Sequence, residues 1–309
     1  MDRCAMKIML LLATAALAAG AAGAAWHYEG QWTITTPTGI DVNPLNGYVY
    51  VGDWEDRHIC YYTAAGSYLG SWGHIGYGNG GFCQLYGIAC APNGWVYASN
   101  ACEIDEGYLQ YFTPAGSFLG QWPEWYNALI ACDVAPNADV WAADANHNRV
   151  KHWTPAGSLL ASWHPKFAYA GGIAVADAGN VYVSDHTGNL VRYFTAAGTP
   201  LGQWGHSGAG NGEFAGPFGV TVGADGTVYV ADTDNNRVQY FTASGVFLGA
   251  FGSFGAGDGQ FNLPHDVAFS LTGSRLYVTD FYNDRVQYFY RDDAAVRPAS
   301  LGKVKALFR

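Results

Sequence analysis

The sequence predicts an all-β fold in which six small sheets follow one another around a ring. Three observations support this prediction: the composition, a unit that recurs six times, and incomplete units at the two ends of the repeat array. Glycine contributes 41 of 309 residues and aromatic residues 16%, while charged residues contribute only 13%. This composition suits short strands joined by tight turns. It excludes a disordered chain or a coiled coil, which need far more charge.

Net charge and apolar segments limit the partners that we expect. The net charge of −10 argues against nucleic acid, because phosphate binding needs a basic surface. The first 25 residues have the features of a secretory signal peptide: Arg3 and Lys7 precede an apolar run at 8–19, and small residues continue to Ala25. No later run is long enough to span a membrane. We therefore expect a secreted protein, extracellular or periplasmic.

Five cysteines remain after the predicted leader. They are Cys60, Cys83, Cys90, Cys102 and Cys132. In an oxidising compartment some of them are expected to pair. Four of them lie in the segment 83–132, so a local bridge within that segment is favoured. Cys102 is its first candidate because it lies in a predicted loop. Cys60, inside a predicted strand, is expected to stay a thiol, and the connectivity of the others stays open.

The internal repeat carries the fold prediction. One acidic or amide residue stands at an equivalent place in six units that are 41 to 48 residues apart: Asp53, Asn100, Asp144, Asp185, Asp232 and Asp280. Each unit has four strand-like pieces, of the forms G-I-x-V, V-Y-V, R-V-Q-Y-F and L-G-x-W. Four short antiparallel strands repeated every 40–50 residues are typical of a β-propeller blade.

The two ends of the array predict how the ring closes. Unit six stops after its third strand near Tyr290, and the segment YEGQW at 28–32 has the form of the missing fourth strand. The N-terminal strand is therefore expected to complete the last blade, so that the ring has no free edge. This predicts a six-bladed β-propeller at 26–293, after a signal peptide at 1–25 and before a basic tail at 294–309.

These segments resemble the NHL-repeat family of propellers. The resemblance is carried by G-I-x-V, V-Y-V-x-D and N-x-R-V-Q-Y-F, and by the linkers GNGGFCQL at 78–85, GNGEFAGP at 210–217 and GDGQFNLP at 257–264. It covers almost all of the predicted mature chain and is strongest in units five and six. It implies a six-bladed propeller but not one function, because propellers support many activities.

His265 and Asp266 are the candidate metal ligands that this resemblance suggests. NHL-type lyases that cleave hydroxylated peptide amides place His-Asp pairs at such positions, with the His on zinc and the Asp on calcium. The equivalent starts of the other units are taken as Gly39, Gly87, Cys132, Gly172 and Gly219. The first strands therefore place only one imidazole at the channel mouth, whereas a catalytic zinc needs three protein ligands.

A calcium site is the second metal hypothesis. Asp41, Asp133 and Asp266 are interpreted as sharing the x position of G-I-x-V. Three carboxylates could then surround a hard cation in the central channel, which makes calcium the cofactor that this set predicts. The alternative is a group of hydrogen-bonded polar side chains without metal. The recurring pairs of Asp144 with Arg149 and Asp232 with Arg237 are interpreted as structural ion pairs.

Aromatic residues outside the repeat predict a binding surface on the face that carries the inter-blade linkers. The candidates are Trp54, Tyr77, Trp125, Tyr126, Phe167, Tyr169, Phe281 and Tyr282. Exposed rings stack on sugars and on protein partners, so a protein or carbohydrate ligand is expected here. The alternative is that these rings cap the gaps between blades. Loop histidines, including His186 and His206, come from different blades and are expected to stay apart.

The sequence thus favours a secreted propeller that acts as a binding or assembly scaffold without chemistry of its own. One alternative is a metal-dependent lyase or hydrolase at the channel mouth. Another is a self-assembling extracellular surface or fibre subunit that associates through residues 294–309, whose Arg and Lys residues oppose an acidic disc.

Overall fold

A computed structural model describes residues 25–102, 106–125 and 129–292 of the chain. The predicted leader, except Ala25, and the predicted tail lie outside the described residues. The described chain forms six antiparallel sheets, and their innermost strands contact one another in sequence around a closed ring. This confirms the all-β, six-bladed propeller. Among the described residues, no helix has the length and hydrophobicity to cross a bilayer.

The strands follow one another blade by blade. The chain starts with β1 (Trp26–Thr33), and blade 1 contains β2 (Pro37–Val42), β3 (Val49–Asp53), β4 (His58–Tyr62) and β5 (Tyr68–Ile75), with β6 (Gly81–Phe82) parallel to β5. Blade 2 contains β7 (Leu85–Cys90), β8 (Val96–Asn100), β9 (Glu106–Phe112) and β10 (Phe118–Trp125). Blade 3 contains β11 (Leu129–Val134), β12 (Val140–Asp144), β13 (Arg149–Trp153) and β14 (Leu159–Trp163).

The second half of the ring has the same plan. Blade 4 contains β15 (Ala170–Val175), β16 (Val181–Asp185), β17 (Leu190–Phe194) and β18 (Pro200–Trp204). Blade 5 contains β19 (Pro217–Val222), β20 (Val228–Asp232), β21 (Arg237–Phe241) and β22 (Phe247–Phe251). Blade 6 contains β23 (Pro264–Phe269), β24 (Arg275–Asp280) and β25 (Arg285–Arg291), and β1 is its fourth strand. Short 3-10 helices at Thr233–Asn235 and Phe281–Asn283 precede β21 and β25.

The ring closes at the pairing that the sequence predicts. β1 runs antiparallel to β25, with Gln31 opposite Gln287 and Trp32 opposite Val286. Trp32 is buried between blades 6 and 1, where it packs with Tyr62 and other core residues. The pairing gives β25 a neighbour on its outer side, so the seam presents no unpaired edge of β25 to solvent.

The innermost strands approach one another closely around the axis. A Cβ atom added to Gly39 would lie 2.3 Å from the carbonyl oxygen of Tyr86, and one added to Gly172 would lie 2.5 Å from that of Phe218. The glycine of the G-I-x-V repeat is therefore needed because neighbouring backbones leave no room for a side chain.

In blades 2, 4, 5 and 6 the acidic or amide residue that ends the second strand holds the linker that precedes its blade. In blade 5, Asp232 accepts a hydrogen bond from the backbone N–H of Ala215 at 2.8 Å and pairs with Arg237 at 2.7 Å. Arg237 and Gln239 in turn donate to the carbonyl oxygen of Glu213 in the same linker. These contacts support the structural interpretation of the recurring Asp–Arg pairs, because both partners are used to fix backbone.

The single disulfide among the described residues joins Cys83 to Cys102. It ties the linker before blade 2 to the loop after β8. This agrees with the expectation of a local bridge that includes Cys102. Cys60, Cys90 and Cys132 are buried thiols, and burial raises the pKa of the Cys60 thiol to about 12, which keeps it protonated and unreactive.

Inter-blade packing predicts a difference between two glycine substitutions. Gly198 and Gly179 have positive φ values of 81° and 82°, but only at Gly198 would a Cβ atom collide, at 2.6 Å from the Trp163 ring. Gly179→Ala should cost about 1–2 kcal/mol of unfolding free energy for its left-handed backbone alone. Gly198→Ala should cost about 1–3 kcal/mol more, because Trp163 must move. Urea unfolding of both variants measures the difference, and equal losses would show that this contact is not tight.

Candidate functional site

The candidate site is the mouth of the central channel on the linker face. We call linker face the side that carries the inter-blade linkers and the loops between second and third strands, and turn face the opposite side. Each first strand runs from the linker face to the turn face, so residues at the start of a first strand lie at the mouth. Tyr86 in β7, Phe218 in β19 and His265 in β23 all occupy such positions.

The strand register corrects the expected alignment of His265 and Asp266. Val267 pairs with Val278 as Ile40 pairs with Val51, so Asp266 is equivalent to Gly39 and does not share the position of Asp41. His265 is then equivalent to Thr38. Cys132 is likewise equivalent to Ile40, because it pairs with Ala142 two residues before the end of β12. The prediction that Asp266 shares the x position was wrong, since blade 6 has no glycine there to mark the register.

Aromatic rings surround His265 at the mouth. Its imidazole centroid lies 4.1 Å from the ring of Phe218, 6.0 Å from Phe281 and 6.4 Å from Tyr86. The imidazole centroid of His186 lies 5.5 Å from the ring centroid of Phe218. Rings from blades 2, 4, 5 and 6 therefore meet here, and we call Tyr86, His186, Phe218, His265 and Phe281 the mouth cluster.

Part of this cluster was missed from sequence. Tyr86 and Phe218 each precede the repeat glycine of their first strand, at Gly87 and Gly219, and that shared position is the signal that could have found them. His186, one of the loop histidines, lies near Phe218 as His265 does, and the sequence did not indicate this.

His265 is a neutral imidazole in this environment. Burial, with a smaller contribution from the nearby His186, lowers the pKa of His265 to about 3. Its Nδ1 atom has no hydrogen-bond partner among the described residues, and the same holds for Nδ1 of His186. The mouth thus offers ring faces, whereas the two unpaired ring nitrogens are buried and not exposed to solvent.

Below the mouth, three carboxylates line a narrow axial cavity of about 60 Å³. Each of them accepts two backbone N–H groups, one from the next residue and one from the following blade. Asp41 accepts from Val42 and Cys90, both at 2.7 Å. Asp133 accepts from Val134 and Val175 at 2.7 Å. Asp266 accepts from Val267 at 2.9 Å and Ile40 at 3.1 Å. The carboxylates therefore link neighbouring first strands.

Burial makes ionisation of these carboxylates unfavourable. Burial raises the pKa of Asp41 to about 6, of Asp266 to about 7 and of Asp133 to about 8. The hydrogen bonds from backbone N–H groups lower each pKa, but they offset the effect of burial only in part. Repulsion from the charge of Asp41 raises the pKa of the other two further. At neutral pH the axis therefore retains protons that the same residues would lose in water.

The arrangement gives the metal hypothesis no support. In the described part of the chain, no group of three or more His, Cys, Asp or Glu side chains is placed to hold a metal ion. Calcium needs six to eight oxygen ligands, whereas both oxygens of each axial carboxylate already accept a backbone hydrogen bond. Metal binding by Asp41, Asp133, His265 and Asp266 stays a prediction that metal analysis of the purified protein can test.

The predicted aromatic surface divides into several parts. Phe281 belongs to the mouth cluster, and Trp54 lies beside it with ring centroids 6.3 Å apart, under the guanidinium of Arg57. Tyr169 contacts His186 at 5.9 Å. Tyr77 and Tyr282 are exposed on the linker face.

The remaining predicted aromatics do not add to this surface. Phe167 is buried against Phe194, so it caps the gap between blades 3 and 4, and its assignment to a binding surface was wrong. Tyr126 and the side chain of Trp125 lie outside the described residues.

Comparison with known proteins agrees with the architecture. Residues 214–241 match the NHL repeat. No curated protein matches the chain. Among solved structures, virginiamycin B lyase from Staphylococcus aureus is similar with a TM-score of 0.59 and 16% identity over 87% of this chain and 99% of the lyase. A gluconolactonase from Xanthomonas campestris is similar with a TM-score of 0.66 and 15% identity over 90% and 93% of the two chains. At these identities the similarity shows the fold alone.

The axial carboxylates predict how stability depends on pH. A carboxyl group whose pKa is raised from 3.8 to about 8, as at Asp133, keeps its proton in the folded chain and loses it on unfolding. The free energy of unfolding should therefore fall as pH rises through this window. His265 gives the opposite slope between about pH 3 and its ordinary value of 6.5. From about pH 6.5 to 8 the slope therefore comes from the carboxylates, and above that range Lys151, whose pKa burial lowers to about 8, adds a slope of the opposite sign.

Urea unfolding between about pH 6.5 and 8 measures this effect. Asp133→Asn should flatten the profile because an amide cannot ionise, whereas Asp177→Asn, at an exposed position, should leave it unchanged. A flat profile for the unmodified protein would contradict the raised pKa values. Stability that increases with pH in the presence of calcium would instead favour a metal at the axis.

Proposed function

Because the chain is a six-bladed β-propeller that carries an NHL repeat, we propose that it acts as a non-catalytic binding module whose ligand docks on the linker face over the mouth cluster. One observation carries this proposal. Rings from blades 2, 5 and 6 converge on His265, while the channel below them is narrow and its carboxylates already accept backbone hydrogen bonds. A ligand can therefore lie across the mouth but cannot pass into the axis.

The chemistry of the mouth favours a carbohydrate ligand. Sugar rings present C–H faces that stack on aromatic side chains and hydroxyl groups that donate and accept hydrogen bonds. The mouth cluster supplies aromatic ring faces at Phe218 and Phe281, whereas the unpartnered Nδ1 atoms of His186 and His265 are buried and do not lie at the surface. Trp54 and Tyr282 extend the aromatic surface outward. A protein ligand is the other partner that such a surface can accept.

Site chemistry argues against turnover. A hydrolase or lyase needs a nucleophile or base positioned by a second group, or a metal with an open coordination position. In the described residues His265 contacts rings, and its pKa of about 3 makes it a weak base. The axial carboxylates are engaged with backbone N–H groups and do not provide a free general base.

The main alternative is a lyase or lactonase that works at the same mouth. It is favoured by the similarity in fold to virginiamycin B lyase and to a gluconolactonase. A His-to-Ala variant of the staphylococcal lyase is described as catalytically inactive, and His265 is one of two histidines in the mouth cluster of this chain. This alternative requires turnover that depends on His265.

We further propose that the module works outside the cytoplasm. The sequence features of residues 1–25 support export, and the disulfide between Cys83 and Cys102 is of the kind that persists in oxidising compartments. Self-association through residues 294–309 remains a proposal on a segment outside the described residues. Its test is light scattering of the protein with and without that segment.

The binding proposal predicts the effect of mouth substitutions. Titration calorimetry against a panel of plant, bacterial and fungal oligosaccharides should identify a ligand. Phe218→Ala should then weaken binding by about tenfold or more, because it removes the ring between His186 and His265. The matched control is Phe254→Ala, a ring that is 70% exposed in the linker before blade 6 and shares no ring contact with the mouth among the described residues. It should bind as the unmodified protein does.

Assays on peptide amides, lactones and polysaccharides distinguish binding from catalysis. The binding proposal expects no turnover with any of them. Turnover that is lost in His265→Ala would refute it and establish the enzyme alternative. Equal loss of binding in Phe218→Ala and Phe254→Ala would mean that the ligand does not dock on the mouth.

A further inference from the structure

Near the turn face, five blades share a pair of tyrosines on their second and third strands. The pairs are Tyr50–Tyr61, Tyr97–Tyr111, Tyr182–Tyr193, Tyr229–Tyr240 and Tyr277–Tyr288, with ring centroids 5.2–6.0 Å apart. In three blades the first tyrosine also joins its blade to the next one. Its hydroxyl donates to a turn carbonyl of the following blade: Tyr50 to Pro114 at 2.9 Å, Tyr182 to Ala243 at 3.1 Å and Tyr277 to Ala64 at 3.0 Å.

Blade 3 departs from this pattern at both positions. Trp141 and His152 replace the two tyrosines, and their rings stack at 3.7 Å with an interplanar angle of 9°. The Nε2 atom of His152 lies 2.9 Å from Oδ2 of Asp139, which also accepts a hydrogen bond from Asn137 at 2.8 Å. The imidazole is therefore held in place from its face and from its edge.

Two hydrogen-bond acceptors and one donor lack partners between blades 3 and 4 among the described residues. The carbonyl of Ala196 is equivalent to those of Ala64, Pro114 and Ala243, but no described side chain donates to it. The indole nitrogen of Trp141, which is only 2% exposed, has no partner among the described residues either. Oδ1 of Asp139 likewise accepts no hydrogen bond in the described part of the chain.

These residues line a cavity of about 310 Å³ on the turn face. We call it the blade 3–4 pocket, and its apolar wall consists of Pro136, Val175, Ala176, Ala178 and Ala196. Its charged lining residues are Asp139 and Asp177, and no Lys or Arg lines it. The volume is at the lower end of the range of small-molecule pockets, which is about 300–1,000 Å³.

We propose that the blade 3–4 pocket binds a small organic cation, namely a primary amine on a short apolar chain. An ammonium group has three donors and no acceptor, which matches the two acceptors that the described chain leaves free, the carbonyl oxygen of Ala196 and Oδ1 of Asp139. The apolar wall provides a surface for the methylene groups. The two carboxylates and the net charge of −10 attract a cation. The pocket lies on the face opposite the mouth cluster, so it is independent of the proposed carbohydrate site.

NMR titration with n-pentylamine, and with n-pentanol as the neutral analogue, tests this proposal. The indole N–H signal of Trp141, assigned through Trp141→Phe, should shift and saturate with the amine. The alcohol should bind at least about tenfold more weakly, because it lacks the charge. Asp139→Asn should weaken amine binding by about tenfold. Asp225→Asn, in the corresponding turn of blade 5, is the matched control and should bind normally.

A second variant keeps the test decisive if Asp139→Asn disturbs the fold. Trp141→Tyr combined with His152→Tyr installs the tyrosine pair that five other blades use, and it retains Asp139. The new hydroxyl should donate to Ala196 and close the pocket, so amine binding, followed by calorimetry, should be lost in a folded protein. Equal affinity for the amine and the alcohol, no saturable shift with the amine, or undiminished binding in the double variant would each overturn the proposal.

Discussion

A four-stranded sheet of this composition cannot bury both of its apolar faces alone, and the antiparallel pairing of β1 with β25 allows every sheet to be covered. That pairing joins Gln31 to Gln287, near the two ends of the described chain. Once it forms, each blade packs between two others, and the six first strands surround one axis. The apolar core is consequently divided among the gaps between blades, with Trp32 filling the gap at the seam.

Closure also determines what the axis can contain. The first strands lie so close together that a single added Cβ atom would collide with the neighbouring backbone. They leave a channel of about 60 Å³, which holds no more than a few water molecules. Carboxylates in that channel face desolvation and mutual repulsion, and the backbone N–H groups of neighbouring blades offset part of this cost. Their arrangement thus follows from the packing of the ring. Ligand chemistry is left to the two faces, where the loops diverge.

Departures from the repeat distinguish the two faces. In blade 6, Asp266 replaces the glycine that most first strands have there, and His265 takes the position of Tyr86 and Phe218 and completes an aromatic mouth. In blade 3, Trp141 and His152 replace the tyrosine pair, and a pocket opens where other blades make an inter-blade hydrogen bond. In both places the scaffold tolerates the change because the surrounding blades keep the standard contacts. Such positions are where a repeat protein can acquire function without losing its fold.

The number of blades, the strand order and the closing role of residues 28–32 were determined by sequence alone, because each depends on a local pattern that recurs six times. A local bridge that includes Cys102 was also expected, but its partner, Cys83, was decided by the tertiary structure. Tertiary structure decided the rest. The true register of Asp266 depends on how β23 pairs with β24, and the burial of Phe167 depends on the adjacent blade. The convergence of Tyr86, His186 and Phe218 near His265 depends on bringing four blades around one axis. The spacing of these residues along the chain does not indicate that their side chains lie close together.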